Sequence, residues 1–422
     1  MTTLTDLPAV PGAVARPRRR PGRAVSRWSA RAVVALAATW LAFVLAHLAL
    51  TGRFWFWVLP DLVPPPVYAL APAALLLVAG LGALPPGRRR DRRWVQVTAG
   101  LSAVALLLGA GQSGLHPGAL VAGRQPAVPP DAIRVFSWNT NYWDNTDDPD
   151  HFYRFLAARH ADVYVLQEYM NWVGPQPLPI DDLARLRREF PDHYLAACNG
   201  LITISRFPVV AARTTDTAGE HEASWHRQFP GQPLTRRAFR VDLRVGERTV
   251  SVYNLHVPLQ LGERKLLTAN FYRDVRARVE HRADEFAALR RDLAANDNPL
   301  LVAGDFNTTA AMGDLRWLRG RLDDPATAGR FLYPATWPVS GPASAVHVPF
   351  DTPPLWRLDW AFTQRMRAYR YDLRDPERLS DHRGQEMVLA PTGGPTSAAP
   401  PVGPPGVVPV AGCAADQLAG YK

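Results

Sequence analysis

The chain has 422 residues, 47% of them hydrophobic and 20% charged, which allows two or three structural units at about 150 residues per domain and excludes a disordered chain. Its formal net charge of +10, from 48 basic and 38 acidic side chains, invites a nucleic-acid reading that fails on where the charge sits. Residues 1–31 hold seven arginines and one acid, residues 88–93 hold five arginines and one acid, and the remaining basic and acidic side chains balance at 36 each.

Lysine occurs only at Lys265 and Lys422, so the arginine bias carries no functional weight. Two cysteines, Cys198 and Cys413, are too few for a disulfide framework or a thiolate metal site and leave a single disulfide open.

After the basic N-terminus (1–31), residues 32–110 read as a membrane domain. Ala32 to Leu50 is an uncharged run of 19 residues, nearly long enough as a helix to cross the ~30 Å hydrocarbon core. A second apolar stretch runs from Leu62 to Leu84, delayed by Pro64, Pro65 and Pro66, and a third from Trp94 to Ala110. Three transmembrane helices are predicted, with the cleavable signal peptide as the alternative for the first. Basic loops stay cytoplasmic, so the two arginine clusters belong inside and everything after Ala110 belongs outside. The loop holding Phe54, Trp55, Phe56 and Trp57 has interface-belt character, and His47 reads as an interfacial side chain.

Residues 111–130 are Gly/Pro-rich and read as an extended linker, and residues 391–422 as a disordered Pro-rich tail. Between them, 131–390 alternates short β-like runs with helical ones, the pattern of an α/β domain. Strands are expected at Ile133–Trp138, Val163–Gln167, Leu201–Ser205, Ala238–Val245, Thr249–Leu255, Leu300–Gly304 and Leu358–Phe362, with Gly246-Glu247 turning the fourth into the fifth. Helices are expected at Pro149–Arg159, capped by Asp148, and from Glu263 to Ala295.

Polar residues interrupt these strands near their ends, at Asn139, Gln167-Glu168, Asn254 and His256, Asp305 and Asn307, Asp359, and Ser380-Asp381-His382. Singly, each has a bland reading as a turn, a solvated end or a core histidine. Together they supply oxygen ligands for a hard cation, a carboxylate to activate water, two imidazoles and amides for phosphate oxygens. His221 and His226 are five apart, not the four of a helical zinc pair, and read as loop residues.

In this order and spacing the motifs resemble the endonuclease/exonuclease/phosphatase superfamily with its DNase I-like fold. The resemblance implies a four-layer α/β sandwich, two mixed sheets flanked by helices. It implies a Mg²⁺ (or Mn²⁺) site at Glu168 with Asn139, assisted by Asp381. Asp305 would orient or deprotonate the attacking water, Asn307 would hold a phosphate oxygen, and His382, oriented by Asp359, would be the catalytic histidine. His256 would donate to the scissile phosphate, as in DNase I-like nucleases, sphingomyelinases and inositol phosphatases and unlike abasic-site endonucleases. Ser205-Arg206-Phe207-Pro208 matches a further strand motif of the family, read as structural, with Arg206 in reach of substrate as the minor view.

The domain 131–390 carries 33 basic and 34 acidic residues, unlike a domain bound through phosphate-backbone contacts. Tethering suits a substrate held near the bilayer, and the architecture resembles a three-span bacterial branch linked to teicoplanin resistance. The expected activity is therefore a membrane-anchored, extracytoplasmic phosphoesterase acting on a lipid-linked phosphodiester or pyrophosphate. The alternatives are a surface nuclease degrading extracellular nucleic acid and, in a different class, a non-catalytic envelope sensor; no protein partner is expected.

Overall fold

Strict alternation along the strands decides how this protein layers. In the computed structural model, which describes residues 22–83, 92–121, 123, 125–141, 148–169, 171–173, 176–178, 183–198, 200–215, 238–262, 268–339, 354–393, 400 and 403–413, the chain divides into two compact units. The first comprises residues 1–43 and 71–107, the second residues 44–70 and 108–422.

The first unit is helical, built on residues 22–43 of α1 (Gly22–Leu50), 71–83 of α2 (Val67–Ala83) and 92–107 of α3 (Arg92–Gly109). Among the described residues two stretches, Trp28–Leu50 and Arg93–Gln112, are long and apolar enough to cross a membrane, which corrects the expectation of three. The three prolines at 64–66 hold α2 back to Val67, so its 17 residues reach only about 25 Å, less than a ~30 Å core.

The second unit carries the sheets. One has seven strands: β1 (Ile133–Asn139), β2 (Val163–Gln167), β5 (Tyr194–Cys198), β6 (Leu201–Ser205), β12 (Met366–Arg374), β13 (Gly384–Pro391) and β14 (Val407–Val408), in the order β12-β13-β1-β2-β6-β5-β14. The other has five: β7 (Val209–Thr214), β8 (Ala238–Val245), β9 (Arg248–His256), β10 (Leu300–Asp305) and β11 (Asp359–Gln364), in the order β11-β10-β9-β8-β7. A two-stranded ribbon, β3 (Asn171–Val173) with β4 (Gln176–Leu178), stands apart. Both large sheets are mixed, with parallel pairs β1/β2 and β9/β10 among antiparallel ones.

Ile133, Val135, Val163 and Val165 of the first sheet share one core with Val250, Val252, Leu301, Ala303 and Ala361 of the second. The alternate residues Phe136, Trp138, Tyr164 and Leu166 pack instead with Phe152 and Phe155 of α4 (Pro149–Ala157) and Leu186 of α5 (Leu183–Glu189). Tyr253, Leu255, Leu300, Val302, Trp360 and Phe362 pack with Phe286 and Leu289 of α6 (Ala269–Ala294). Period-two alternation with both faces apolar gives helix, sheet, sheet, helix, the four layers expected. Helix α4 starts as its sequence dictates, with the Asp148 side chain accepting from the Asp150 N–H and Pro149 in the first turn. Thr268 caps α6 in the same way, so that helix begins later than the expected Glu263.

Three further expectations change. The Pro-rich tail is not without structure: β14 pairs with β5, Val408 and Val410 are buried in the inter-sheet core, and Cys413 is bonded to Cys198. A short apolar run of Val407, Val408 and Val410 finds an open sheet edge, which no periodicity within the tail could reveal. The linker is held at its start, where Ser113 is buried, the His116 N–H donates to the Leu332 carbonyl and the imidazole lies 3.7 Å from Asp324. His47 is fully buried rather than interfacial: Nε2 lies 2.9 Å from the Ala311 carbonyl and Nδ1 accepts from the Trp57 indole. The segment 44–70 is thus a part of the sheet-bearing unit.

Gly304 sits at φ +146° within β10, where a Cβ would lie 2.0 Å from the Leu255 carbonyl oxygen of β9. Gly304→Ala is expected to separate these parallel strands and lower stability by roughly 3 kcal/mol. Gly393→Ala, with open space around it, should leave the thermal midpoint nearly unchanged.

Candidate active site

The inner-face parity that builds the core continues past the last apolar residue of each strand. Asn139 and Gln167 follow the inward positions of β1 and β2, Asn254 and His256 those of β9, and Asp305 that of β10, while Asp359 precedes that of β11, which runs antiparallel to β10. Register aligns them: Asn139 lies beside Gln167, and Asp305 lies between His256 and Asp359. Polar inward residues from both sheets therefore meet at one end of the inter-sheet core.

Direct contacts close the set. The Asn139 amide donates to Asp305 Oδ2 over 3.0 Å, linking the two sheets. His256 Nε2 lies 3.4 Å from Glu168 Oε1 and 3.6 Å from Asp305 Oδ2. His382 Nδ1 lies 2.8 Å from Asp359 Oδ2, and its Nε2 is 3.8 Å from Asp381 Oδ1. The Asn307 backbone N–H donates to Asp305 Oδ1, and its side-chain amide to the Val257 carbonyl. Glu168 and Asn307 both adopt left-handed backbone, at φ +54° and +46°, an uncommon state for residues other than glycine that marks the turns ending β2 and β10.

Loop residues hold the histidine. Ser380 Oγ donates to the Asn139 carbonyl and accepts from the His382 N–H, while the Trp138 indole donates to the His382 carbonyl. Asp381 accepts from the Trp337 indole and stands beside His382 rather than in the Glu168 group. Trp337 and Thr336 were not singled out by sequence. Thr336 Oγ1 accepts from the Leu358 and Asp359 N–H groups, and both residues come from an aperiodic stretch with no pattern to mark them. Arg206 pairs with Asp162 at 2.7 Å, the structural role expected of its strand motif. His221 and His226 lie outside the described residues.

Burial pushes the Asp305 carboxyl above the usual carboxylate range; the neighbouring His382 opposes the rise, and Asp359 and Glu168 add to it. For His382 burial alone would disfavour the imidazolium, yet Asp359, then Asp381 and Asp305, hold its pKa well above the ordinary histidine value.

Two groups of donors overlap at Asp305: Glu168 with His256, and Asp359 with His382, each offering ligand atoms within 4.8 Å of one another. Asp359 Oδ1 is buried and accepts no hydrogen bond among the described residues. Carboxyls clustered around Asp305 that raise its pKa, with one oxygen left unsatisfied, fit a divalent cation bound through oxygen.

Residues 136–382 match the sequence profile of the Endonuclease/Exonuclease/phosphatase family, and the chain belongs to that family. Members of this superfamily are phosphoester hydrolases. No curated protein matches the chain significantly. Among solved structures it is similar to an endonuclease/exonuclease/phosphatase from Beutenbergia cavernae DSM 12333, at 19% identity over 65% of this chain and 74% of that one, with a TM-score of 0.43. It is also similar to humanized D. rerio TDP2 (15% identity, 61% and 99% covered, TM-score 0.41) and to Sphingomyelinase C from Streptomyces griseocarneus (16%, 61% and 99%, TM-score 0.39).

The His382–Asp359 pair makes stability pH-dependent with a defined sign. Because the folded pKa is raised, the contribution is full below the unfolded histidine value of about 6.5 and is lost as pH rises through the folded value. Asp359→Asn should abolish this alkaline loss of thermal midpoint while leaving the acid side in place.

Proposed function

We propose that this chain is a membrane-anchored, extracytoplasmic, Mg²⁺-dependent phosphoesterase that hydrolyses a lipid-linked phosphodiester or pyrophosphate. The observation that carries the chemistry is Asp305, which stands between the Glu168–His256 group and the His382–Asp359 pair.

Glu168, with Asn139 and Asp305, offers the oxygen-rich set that Mg²⁺ prefers, and an ion bound there would supply Lewis-acid polarisation of a phosphoryl oxygen. Asp305 takes a proton from the water whose oxygen bonds to phosphorus as the ester bond on the opposite side breaks. His382, kept protonated by Asp359, and His256 donate to the nonbridging oxygens, where negative charge grows. Asn307 holds Asp305 through its backbone N–H, and Asp381 adds to the field that keeps His382 charged. All eight residues are preorganised by strand ends and buried hydrogen bonds, which is what electrostatic stabilisation of a transition state requires.

Orientation follows from charge and connectivity. An arginine cluster precedes each long apolar helix, at 16–31 and at 88–93, while residues 44–50 and 108–112, at their far ends, belong to the catalytic unit. Cytoplasmic arginines would then leave that unit outside. The Cys198–Cys413 disulfide suits the same compartment, since such bonds persist where the surroundings are oxidising. The near-neutral domain weighs against a surface nuclease.

The test uses the full chain in detergent, because residues 44–70 belong to the catalytic unit. It should hydrolyse a polyprenyl pyrophosphate or a phospholipid with Mg²⁺, lose activity in EDTA, and fall by at least about a thousandfold in His382→Ala or Glu168→Gln. Turnover of plasmid DNA alone would favour the nuclease, and no turnover of any phosphate ester would end the enzymatic reading. A reporter active only outside the cytoplasm, fused after Lys422, should give signal; silence with a folded fusion would reverse the orientation.

A further inference from the structure

One fully buried cation lies outside the catalytic set and touches both of its β9 and β10 exits. Arg282, in the middle of α6, is 1% exposed. Its Nη1 donates to the Pro258 carbonyl at 2.5 Å and reaches the Phe306 carbonyl at 3.5 Å. Its Nη2 donates to Thr308 Oγ1 at 2.5 Å and to Asp314 Oδ2 at 3.2 Å. Pro258 is two residues beyond His256, while Phe306 and Thr308 flank Asn307 directly after Asp305. A planar fork with fixed donor directions is suited to holding two backbone segments at once, as a point-charge ammonium is not.

The clamp is itself anchored. Asp314, the acid that partners the guanidinium, follows Gly313, whose N–H donates to Thr51 Oγ1. Gly313 and Gly52 pack backbone to backbone: a Cβ on Gly52, at φ +68°, would lie 2.8 Å from Gly313, and one on Gly313 would lie 2.3 Å from the Thr51 carbonyl. Arg316 of the same segment donates to the Leu48 carbonyl. The turn at 51–52 follows directly on Trp28–Leu50, an apolar helix long enough to cross a membrane.

We infer that Arg282 is a positioning residue that sets the separation of His256 and Asp305, and that it does so against the turn at residues 51–52. Since His256 Nε2 and Asp305 Oδ2 are 3.6 Å apart on neighbouring strands, a shift in either exit changes the distance between the imidazole and the carboxylate that share the candidate metal group. The inference rests on the phosphoesterase reading for its effect on turnover, but not for its effect on metal binding.

The experiment compares the full chain with Arg282→Lys, Arg282→Gln and Asp314→Asn. Mn²⁺ binding is read by electron paramagnetic resonance, and kcat and KM are read with a generic aryl phosphodiester. Arg282→Gln should weaken Mn²⁺ binding and lower kcat by about tenfold or more with KM within about twofold, and Arg282→Lys should recover part of both. Asp314→Asn, which leaves the guanidinium in place, should move the same quantities in the same direction by less, and it decides the matter if Arg282→Gln does not fold. Folded variants whose Mn²⁺ affinity and kcat both stay within about twofold of the parent overturn the inference, as does a change in KM alone. If no variant and no parent protein turns over a phosphate ester while Mn²⁺ binding still weakens as described, the phosphoesterase reading fails and the positioning role stands.

Discussion

Buried amides crossing from one sheet to the other are the constraint on which the rest of this protein depends. The Gln167 amide donates to Asn254 Oδ1, the Asn254 amide donates to the Leu166 and Ile202 carbonyls, and the Asn139 amide donates to Asp305. Asn139, Gln167, Asn254 and Asp305 are each no more than 1% exposed, and a polar group left unpaired at such a depth costs on the order of 1–3 kcal/mol. These bonds form in one relative register of the two sheets, since a slip of one residue would turn every amide to the opposite face. The apolar core between the sheets thus ends in a polar seam, and the carboxylates and imidazoles gather beside it.

That gathering has an electrostatic cost, which the site answers in two ways. On one side Asp359 and Asp381 neighbour His382 and favour its charged form. On the other, Glu168 and Asp305 both lie near His256, a gathering of carboxyls that a divalent ion would relieve. Distant elements then stiffen the frame. The tail strand β14 covers the β5 edge and is bonded through Cys413 to Cys198, and Arg357 pairs with Asp324 two residues before Asp359.

Much of the fold was legible because alternation and turn chemistry are local. The strands Val163–Gln167, Leu201–Ser205 and Ala238–Val245 run between the expected residues, and Gly246 turns β8 into β9 in left-handed backbone. Two of the strands that were not expected lack such a signal: β12 is broken by Arg367, Arg370, Asp372 and Arg374 and has no apolar run, and β14 is two residues long. The second apolar stretch looked long enough for a membrane crossing until the prolines delayed its helix, and His47 looked interfacial because its partners, Ala311 and Asp61, are remote in sequence or outside the helix.

The sequence by itself determined which side chains face inward at each strand end, where the arginine clusters lie, and that Asn139, Glu168, His256, Asp305, Asn307, Asp359, Asp381 and His382 follow one another in a familiar order. Periodicity and spacing are properties of the chain alone and need no tertiary contact. Tertiary structure decided the rest: that strand ends from two sheets meet at Asp305, that Asp381 stands with His382 rather than with Glu168, that Thr336 and Arg282 support the site, and that the segment after the first apolar helix belongs to the catalytic unit. Each of these joins residues far apart in the chain. Their proximity exists only after the sheets have packed and the buried polar groups have found partners.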